Sequence, residues 1–142
     1  MKRHPSLVPL SHDHHHGLVQ ARRLRLAAER DAGARTRAVQ DFAAAWRGQI
    51  APHLDREERC LLPYVTPEAH AARLVTDHAA LRDLARAASD PGTVTAEQCR
   101  ELAERLESHI RWEERELFRS LERTLDESTL LRIGAALDER GT

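Results

Sequence analysis

Two short stretches of the sequence repeat a histidine followed by paired glutamates, and both residue types bind metal ions. The stretches are HLDREERCLLP, which begins at His53, and HIRWEERELF, which begins at His109. In a helix, the spacing His-x-x-x-Glu places an imidazole and a carboxylate one turn apart on the same face, so the two side chains can bind one ion together. The spacing therefore selects two pairs of candidate ligands, namely His53 with Glu57 and His109 with Glu113.

The apolar neighbours of both motifs predict that these pairs face the protein interior. The residues that continue the two helical stripes are Ile50, Cys60 and Leu61 for the first motif and Leu102, Leu106 and Leu117 for the second. A buried carboxylate without a partner is costly, so two of them need compensating positive charge. Metal ions would supply that charge.

Histidines in two other segments extend the pattern. His78 lies on an apolar stripe in DHAALRDLA, and three consecutive histidines lie in DHHHGLVQARRL. Successive residues of a helix are rotated by about 100°, so His14, His15 and His16 cannot all face the core. Aligning the His-x-x-Leu pattern of the two segments, at an offset of 63 residues, favours His15. A helical wheel centred on the apolar residues of the first segment favours His14. We expect His15 to be the ligand and keep His14 as the second candidate.

Four long helices are predicted to position these residues. Helix signals place them at about residues 11–33, 36–62, 66–89 and 95–125, with Ser11 or Asp13, Thr66 and Thr95 as N-caps, and a short fifth helix follows Asp126. Pro52 should kink the second helix just before His53, because it lacks a backbone donor and clashes with the carbonyl of Gly48. Short loops between long helices are typical of antiparallel neighbours. The fold class is therefore predicted to be all-α, an up-down-up-down four-helix bundle with a short C-terminal helix.

Composition limits the other functions that this chain could have. The 142 residues are the length of one domain, so we treat residues 1–142 as a single domain. A formal net charge of −1 indicates neither a nucleic-acid partner nor an anionic membrane. The start of the chain lacks the apolar run of a signal peptide, and we expect a cytoplasmic protein. Cys60 and Cys99 are too few for a disulfide framework and are expected to be buried thiols.

The ordered set of a histidine, His-x-x-x-Glu, a second histidine and a second His-x-x-x-Glu, one element per helix, resembles the hemerythrin-like (HHE cation-binding) domains. The resemblance covers residues 10 to 125 and implies a non-haem di-iron centre with an oxo or hydroxo bridge. Carried over by position, the imidazole ligands are His15, His53, His78 and His109, and the bridging carboxylates are Glu57 and Glu113. Carboxylate-rich coordination also suits iron or manganese better than tetrahedral zinc.

The sequence departs from the oxygen-carrying hemerythrins at two positions. Those proteins have a further histidine one turn before the residue matched by His78, where this chain has Leu74. One iron should then have fewer nitrogen ligands and a more open position, which suits reaction or sensing better than oxygen storage. The helix-four carboxylate of the carriers aligns with Glu114, so Glu114 is an alternative to Glu113 as the bridge.

The resemblance implies a di-iron protein that binds dioxygen, peroxide or nitric oxide for redox sensing or detoxification. We expect a monomer or weak oligomer that depends on an external reductant. The alternative hypothesis is a non-enzymatic, iron-responsive or zinc-occupied module that acts through a partner. A purely structural bundle is the third possibility, and it predicts that chelators change nothing. Whether the protein is an enzyme is left open by its ligand residues.

Overall fold

The computed structural model describes residues 2–138, and within this range every regular element is a helix and there is no β-strand. Its α-helices are α1 (Val8–Ala28), α2 (Ala32–Ala45), α3 (Ala51–Cys60), α4 (Glu68–Ala87), α5 (Ala96–Trp112), α6 (Phe118–Thr124) and α7 (Glu127–Asp138). Short 3-10 turns occur at Pro5–Leu7, Leu62–Tyr64 and Pro91–Thr93. Two π-turns, Trp46–Ile50 and Glu113–Leu117, join α2 to α3 and α5 to α6. The described chain therefore has five helical rods, as the sequence predicts.

The start of the fourth long helix and the position of the short last helix are confirmed. Thr95 and Gln98 form the predicted capping box, in which each side chain bonds the other residue's backbone N–H. Asp126 accepts a hydrogen bond from the Thr129 backbone N–H at 2.8 Å, at the start of α7.

The predicted starts of the first three helices are wrong. Helix α1 begins at Val8, before Ser11 and Asp13. Helix α2 begins at Ala32 because Asp31 caps it, so Gly33 lies in its first turn and does not end α1. Helix α4 begins at Glu68, with Pro67 rather than Thr66 as the residue before the first turn.

The irregularity expected near Pro52 takes the form of a π-turn. The Ala51 N–H bonds the carbonyl oxygen of Trp46, five residues back, just before the proline. A π-turn is a wider, one-turn variation within an α-helix and is often found at functional sites. Both π-turns of this protein lie beside a His-x-x-x-Glu motif: the first ends three residues before His53, and the second begins at Glu113.

The core consists of two apolar clusters. One cluster joins α1, α2, α3, α4 and α5 through residues such as Leu24, Phe42, Leu54 and Leu102, and the other joins the ends of the same rods to α7. In α1 and α4 a buried histidine lies between these clusters along the chain: Leu10 and Leu74 belong to one cluster, Ala21 and Leu81 to the other, and His14 and His78 lie between them. Apolar layers thus separate a polar layer from solvent at both ends.

Ion pairs show how α1 packs against α5. His14 contacts Glu114, Arg25 contacts Glu107 and Glu29 contacts Arg100. Residue numbers therefore rise along the first rod as they fall along the second. The two helices are therefore antiparallel. Cys60 and Cys99 are both buried free thiols, as predicted. Among the described residues, no helix combines the length and the apolar character needed to cross a membrane.

Candidate metal centre

Four histidines and two glutamates converge in the polar layer between the apolar clusters. His14 comes from α1, His53 and Glu57 from α3, His78 from α4 and His109 from α5, while Glu113 is the first residue of the second π-turn. All six are buried, and both glutamates are fully inaccessible to solvent. Each long rod therefore contributes one imidazole, and the two rods with π-turns also contribute a carboxylate.

These side chains form two groups of possible metal ligands. One group contains His14, His53, Glu57 and Glu113, and the other contains Glu57, His78, His109 and Glu113. Within each group, one potential ligand atom from every residue lies within 4.8 Å of the others. We call the first group the His14 half and the second the His78 half. The halves share both carboxylates.

Each shared carboxylate directs one oxygen to each half. Glu57 Oε2 lies 3.1 Å from His53 Nε2, and its other oxygen lies 3.1 Å from His78 Nε2. Glu113 Oε1 lies 2.7 Å from His14 Nε2, and Oε2 lies 3.2 Å from His109 Nε2. This is the orientation that a carboxylate needs to bridge two cations. The resulting arrangement of inward-facing ligands from facing helices is typical of dinuclear carboxylate sites.

Unpaired buried atoms show that the residues fit cations. His53 Nε2, Glu57 Oε2, His109 Nε2 and Glu113 Oε2 are buried without a hydrogen-bond partner. The close contacts between these nitrogens and oxygens lack hydrogen-bond geometry, although they measure only 3.1 and 3.2 Å. Two ligands at right angles on one ion, with bonds of about 2.1 Å, are separated by about 3 Å. The four orphaned atoms are therefore placed as ligands of shared ions would be.

A carboxylate outside the groups fixes each imidazole. His14 Nδ1 donates to Glu114 at 2.6 Å, and His78 Nδ1 donates to Glu58 at 2.6 Å. In the same way, His53 Nδ1 donates to Asp13 at 3.1 Å and His109 Nδ1 donates to Asp77 at 2.9 Å. Because each Nδ1 carries the proton, each Nε2 is left to face the centre. Carboxylates in this position fix the tautomer and raise the basicity of a metal-binding histidine.

An arginine in turn contacts each outer carboxylate. The four pairs are Arg3 with Glu114, Arg56 with Asp13, Arg73 with Asp77 and Arg82 with Glu58. Four chains of contacts therefore surround the centre, two in each half. Each chain runs from an arginine through a carboxylate to a histidine. Such arginines keep the outer carboxylates charged, and the pKa of Asp13 shows this: burial acts to raise it, but hydrogen bonds and attraction from His53 and Arg56 lower it to about 2.

Without a metal ion, protons balance the buried carboxylates. Burial acts to lower the pKa values of His14 and His109, but hydrogen bonds from His14 to Glu113 and Glu114 raise the first to about 9, and attraction to Glu113 raises the second to about 10. Burial acts to raise the pKa of Glu113, but attraction to His109 and the hydrogen bond from His14 hold it well below its usual range. A cation that binds here must displace these imidazole protons, so its affinity should fall with decreasing pH.

A small cavity adjoins the His14 half. It has a volume of about 20 Å³, room for one water-sized molecule. The polar residues that line it are Asp13, His14, His53, His109 and Glu113, and its apolar lining consists of Gly17, Ile50, Leu54, Leu106 and Ile110. A Cβ atom added to Gly17 would lie 2.7 Å from Ile110 Cδ1, so the glycine keeps this space open.

Of the seven predicted ligand residues, the structure brings six together and excludes one. His15 is exposed and stacks edge-on against His16, so the preference for His15 over His14 as the inward-facing residue is wrong. His14 is 5% exposed and contacts Glu113. Glu114, the alternative bridge, lies outside both groups and holds His14 from behind.

The sequence contained a signal for His14 that the His-x-x-Leu alignment missed. Asp13-His14 and Asp77-His78 are equivalent Asp-His pairs, in which the aspartate holds the histidine of a neighbouring rod, His53 or His109. The glutamate after each bridge, Glu58 or Glu114, likewise holds His78 or His14. Aligning the two Asp-His pairs, rather than the histidines with the next leucine, selects His14.

Comparison with known families assigns the chain to a cation-binding family. Residues 7–121 match the family model described as the Hemerythrin HHE cation binding domain. No significant match to the chain was found among curated proteins or among solved structures. The family match covers most of the chain and includes all six convergent residues. The chain belongs to the hemerythrin HHE cation-binding domain family.

Proposed function

We propose that this protein is a non-haem di-iron protein of the hemerythrin type that binds dioxygen, peroxide or nitric oxide for redox sensing or detoxification. The observation that carries the proposal is the orientation of Glu57 and Glu113, each of which presents one oxygen to each histidine pair. Two cations that share both carboxylates would each have two imidazoles as well. This mixed nitrogen and oxygen ligand set favours iron or manganese over a tetrahedral zinc site.

The ligand set leaves coordination positions for a small molecule. Each half provides four protein residues, whereas a six-coordinate ion has more positions than these residues fill when each supplies one atom. When bound, iron would supply the redox chemistry and the exchangeable position that dioxygen, peroxide or nitric oxide requires. The 20 Å³ cavity supports the His14 half as the place of exchange, because its lining contains both histidines of that half, His14 and His53, but only His109 from the other half. The sequence-based expectation instead assigns the open position to the ion near Leu74, which lies one turn before His78.

The protein contributes to this function by fixing the ligands and excluding bulk water. Outer carboxylates hold the imidazoles with Nε2 inward, and apolar layers cover both ends of the centre. We further propose that the four long rods form an up-down-up-down bundle within a single domain. The antiparallel contacts of α1 with α5 support this arrangement.

The test is the metal content of untagged protein, measured by mass spectrometry and combined with absorption spectra before and after dithionite. We expect about two irons per chain and a near-ultraviolet band that bleaches on reduction. The reduced protein should then change its spectrum with dioxygen, peroxide or nitric oxide. Iron-loaded protein without a spectral response to any of them would refute ligand binding, and a chain that takes up no metal would refute the centre itself.

Two adjacent histidines provide a matched pair of variants. His14→Asn should reduce iron uptake to about one ion per chain, because it removes one imidazole from the His14 half. His15→Asn should retain the uptake of the unmodified protein, because His15 is exposed and contacts only His16 among the described rings. Equal iron contents for the two variants would contradict the assignment of His14.

A further inference from the structure

The residues before α1 lie against the rod that carries Glu113 and against the last helix, α7. We call residues 2–7 the strap. The Arg3 guanidinium donates to the Glu114 carbonyl oxygen at 2.8 Å and to Glu122 Oε1 at 2.9 Å. The His4 backbone N–H donates to the other oxygen of Glu122 at 2.6 Å, and Leu7 is fully buried in the apolar cluster next to the site. The strap is therefore attached by both polar and apolar contacts.

Arg3 reaches His14 by two routes. Its guanidinium forms an ion pair with Glu114 Oε1 at 3.2 Å, and the other oxygen of Glu114 accepts the His14 Nδ1 proton at 2.6 Å. The same guanidinium lies over the Phe118 ring at 5.3 Å, and Phe118 stacks on the His14 ring with an interplanar angle of 6°. Both the rotation and the tilt of the His14 ring thus depend on groups that Arg3 contacts.

The other three arginines of the centre belong to its own helices. Arg56 lies on α3, and Arg73 and Arg82 lie on α4, so each moves only with the rod that also carries His53 or His78. Arg3 instead precedes α1 and is joined to it through a single 3-10 turn, Pro5–Leu7. Detaching the strap would remove support from His14 without unwinding a long helix. The other three arginine–carboxylate–histidine contact chains could not be broken in this way, because their arginines lie on long helices.

We propose that the strap controls metal binding in the His14 half, with Arg3 as the positioning residue that sets the affinity of this half for its cation. The inference rests on the proposed metal centre and adds to it: the two halves are not equivalent, and one of them can be released by a segment outside the helices. Since the cavity also adjoins the His14 half, the strap would act on the ion at which small ligands exchange.

Calorimetric titration of metal-free protein with Co²⁺ tests the proposal through stoichiometry and affinity, independently of any activity. The unmodified protein should bind two ions. Arg3→Gln should weaken one of the two binding events by up to about 10-fold and leave the other unchanged. This is the lower end of the range for groups that bond a metal ligand directly, because Arg3 acts on His14 through Glu114, which Ser11 also holds. Arg3→Lys should recover part of the loss, because it retains the charge near Glu114. Arg25→Gln is the control, since Arg25 forms an exposed ion pair with Glu107.

A second background separates positioning from general destabilisation. In His14→Asn protein, Arg3→Gln should have no further effect on the remaining Co²⁺ site, because both routes from Arg3 then end on a residue that is no longer an imidazole ligand. In His78→Asn protein, Arg3→Gln should weaken the remaining site. Unchanged binding of both ions by Arg3→Gln, or an equal loss in the two backgrounds, would overturn the proposal. Failure of the unmodified protein to bind any Co²⁺ would instead refute the metal centre on which it rests.

Discussion

The His14 half and the His78 half of the centre are built from the same parts but are supported differently. Each contains two imidazoles held at Nδ1 by an aspartate and a glutamate, and each shares Glu57 and Glu113. In the His78 half, both supporting arginines lie on α4. In the His14 half, one of the two comes from the strap, and a cavity adjoins the histidines. In the proposed di-iron centre, a near-symmetric ligand set would therefore hold one ion supported only by its own helices and one accessible ion.

The largest effect on metal binding should follow from replacing a carboxylate that both halves share. Glu57→Gln removes a charge that faces both His53 and His78, so it should weaken both Co²⁺ binding events, by more than about 100-fold. The measurement is the same calorimetric titration, with Glu104→Gln as an exposed control on α5. Loss of only one binding event would show that Glu57 does not bridge the halves.

Replacing the outer aspartates should have a smaller effect on metal binding, of similar size in the two halves. Asp13→Asn and Asp77→Asn each remove the negative acceptor of one imidazole proton, on His53 and His109 respectively. Each should weaken the ion of its own half by about 10-fold to 100-fold, the usual range for such partners. Equilibrium competition with a chromogenic chelator measures both. If the two variants weakened the same binding event, the assignment of the aspartates to different halves would be wrong.

A change in the cavity should separate small-ligand binding from metal binding. Gly17→Ala places a methyl group against the Ile110 side chain, so it should weaken nitric oxide binding to iron-loaded protein by about 10-fold, which corresponds to about 1.4 kcal/mol. Metal content should stay at the unmodified value. Spectroscopic titration measures both quantities, and Gly48→Ala is the control because a methyl group there meets no neighbour. A Gly17→Ala protein with undiminished nitric oxide affinity would exclude this cavity as the route of access.

The smallest effect concerns metal-free protein at alkaline pH. The folded-state pKa values of His14 and His109 are raised to about 9 and about 10, so their protonation stabilises the folded state fully below the unfolded value of 6.5. This stabilisation is lost as pH rises through the folded-state values. Thermal denaturation should therefore show a melting temperature that falls between about pH 7 and pH 10. NMR titration of the histidine side chains should show that His14 and His109 both keep their protons well above pH 6.5, and loss of both protons near pH 6.5 would contradict this prediction.

Local patterns in the sequence were sufficient for most of the centre. The spacing His-x-x-x-Glu and its apolar neighbours depend only on the period of a helix, so His53, Glu57, His109 and Glu113 were expected to face inward, and the structure brings them together. The choice between His14 and His15 was different, because a single residue changes the direction of a side chain by about 100°. The position at which the helix begins does not show which of three consecutive histidines faces the core. The Asp-His pairs were needed to identify the inward-facing histidine.

Contacts between distant parts of the chain could not be predicted in this way. Asp13 holds a histidine on α3, and Glu114 holds one on α1. These pairings depend on how the rods are rotated relative to each other. The sequence pattern of one helix does not contain that information. The strap is a stronger case: Lys2 to Leu7 has no helical period from which its position on the second π-turn and α6 could be inferred. The sequence therefore predicts the ligands better than it predicts their supports.

The two π-turns have a consequence for how the length of the chain could change during evolution. A π-turn holds one residue more than the α-helical turn that would replace it, so deleting one residue there can leave both flanking helices in place. At Trp46–Ile50 such a deletion is opposed by Pro52, which would then face an α-helical turn and clash with the carbonyl four positions before it. No proline follows the turn at Glu113–Leu117 before α7. A single-codon deletion should be tolerated in the fold more readily at the second turn than at the first, provided that Glu113 itself is retained.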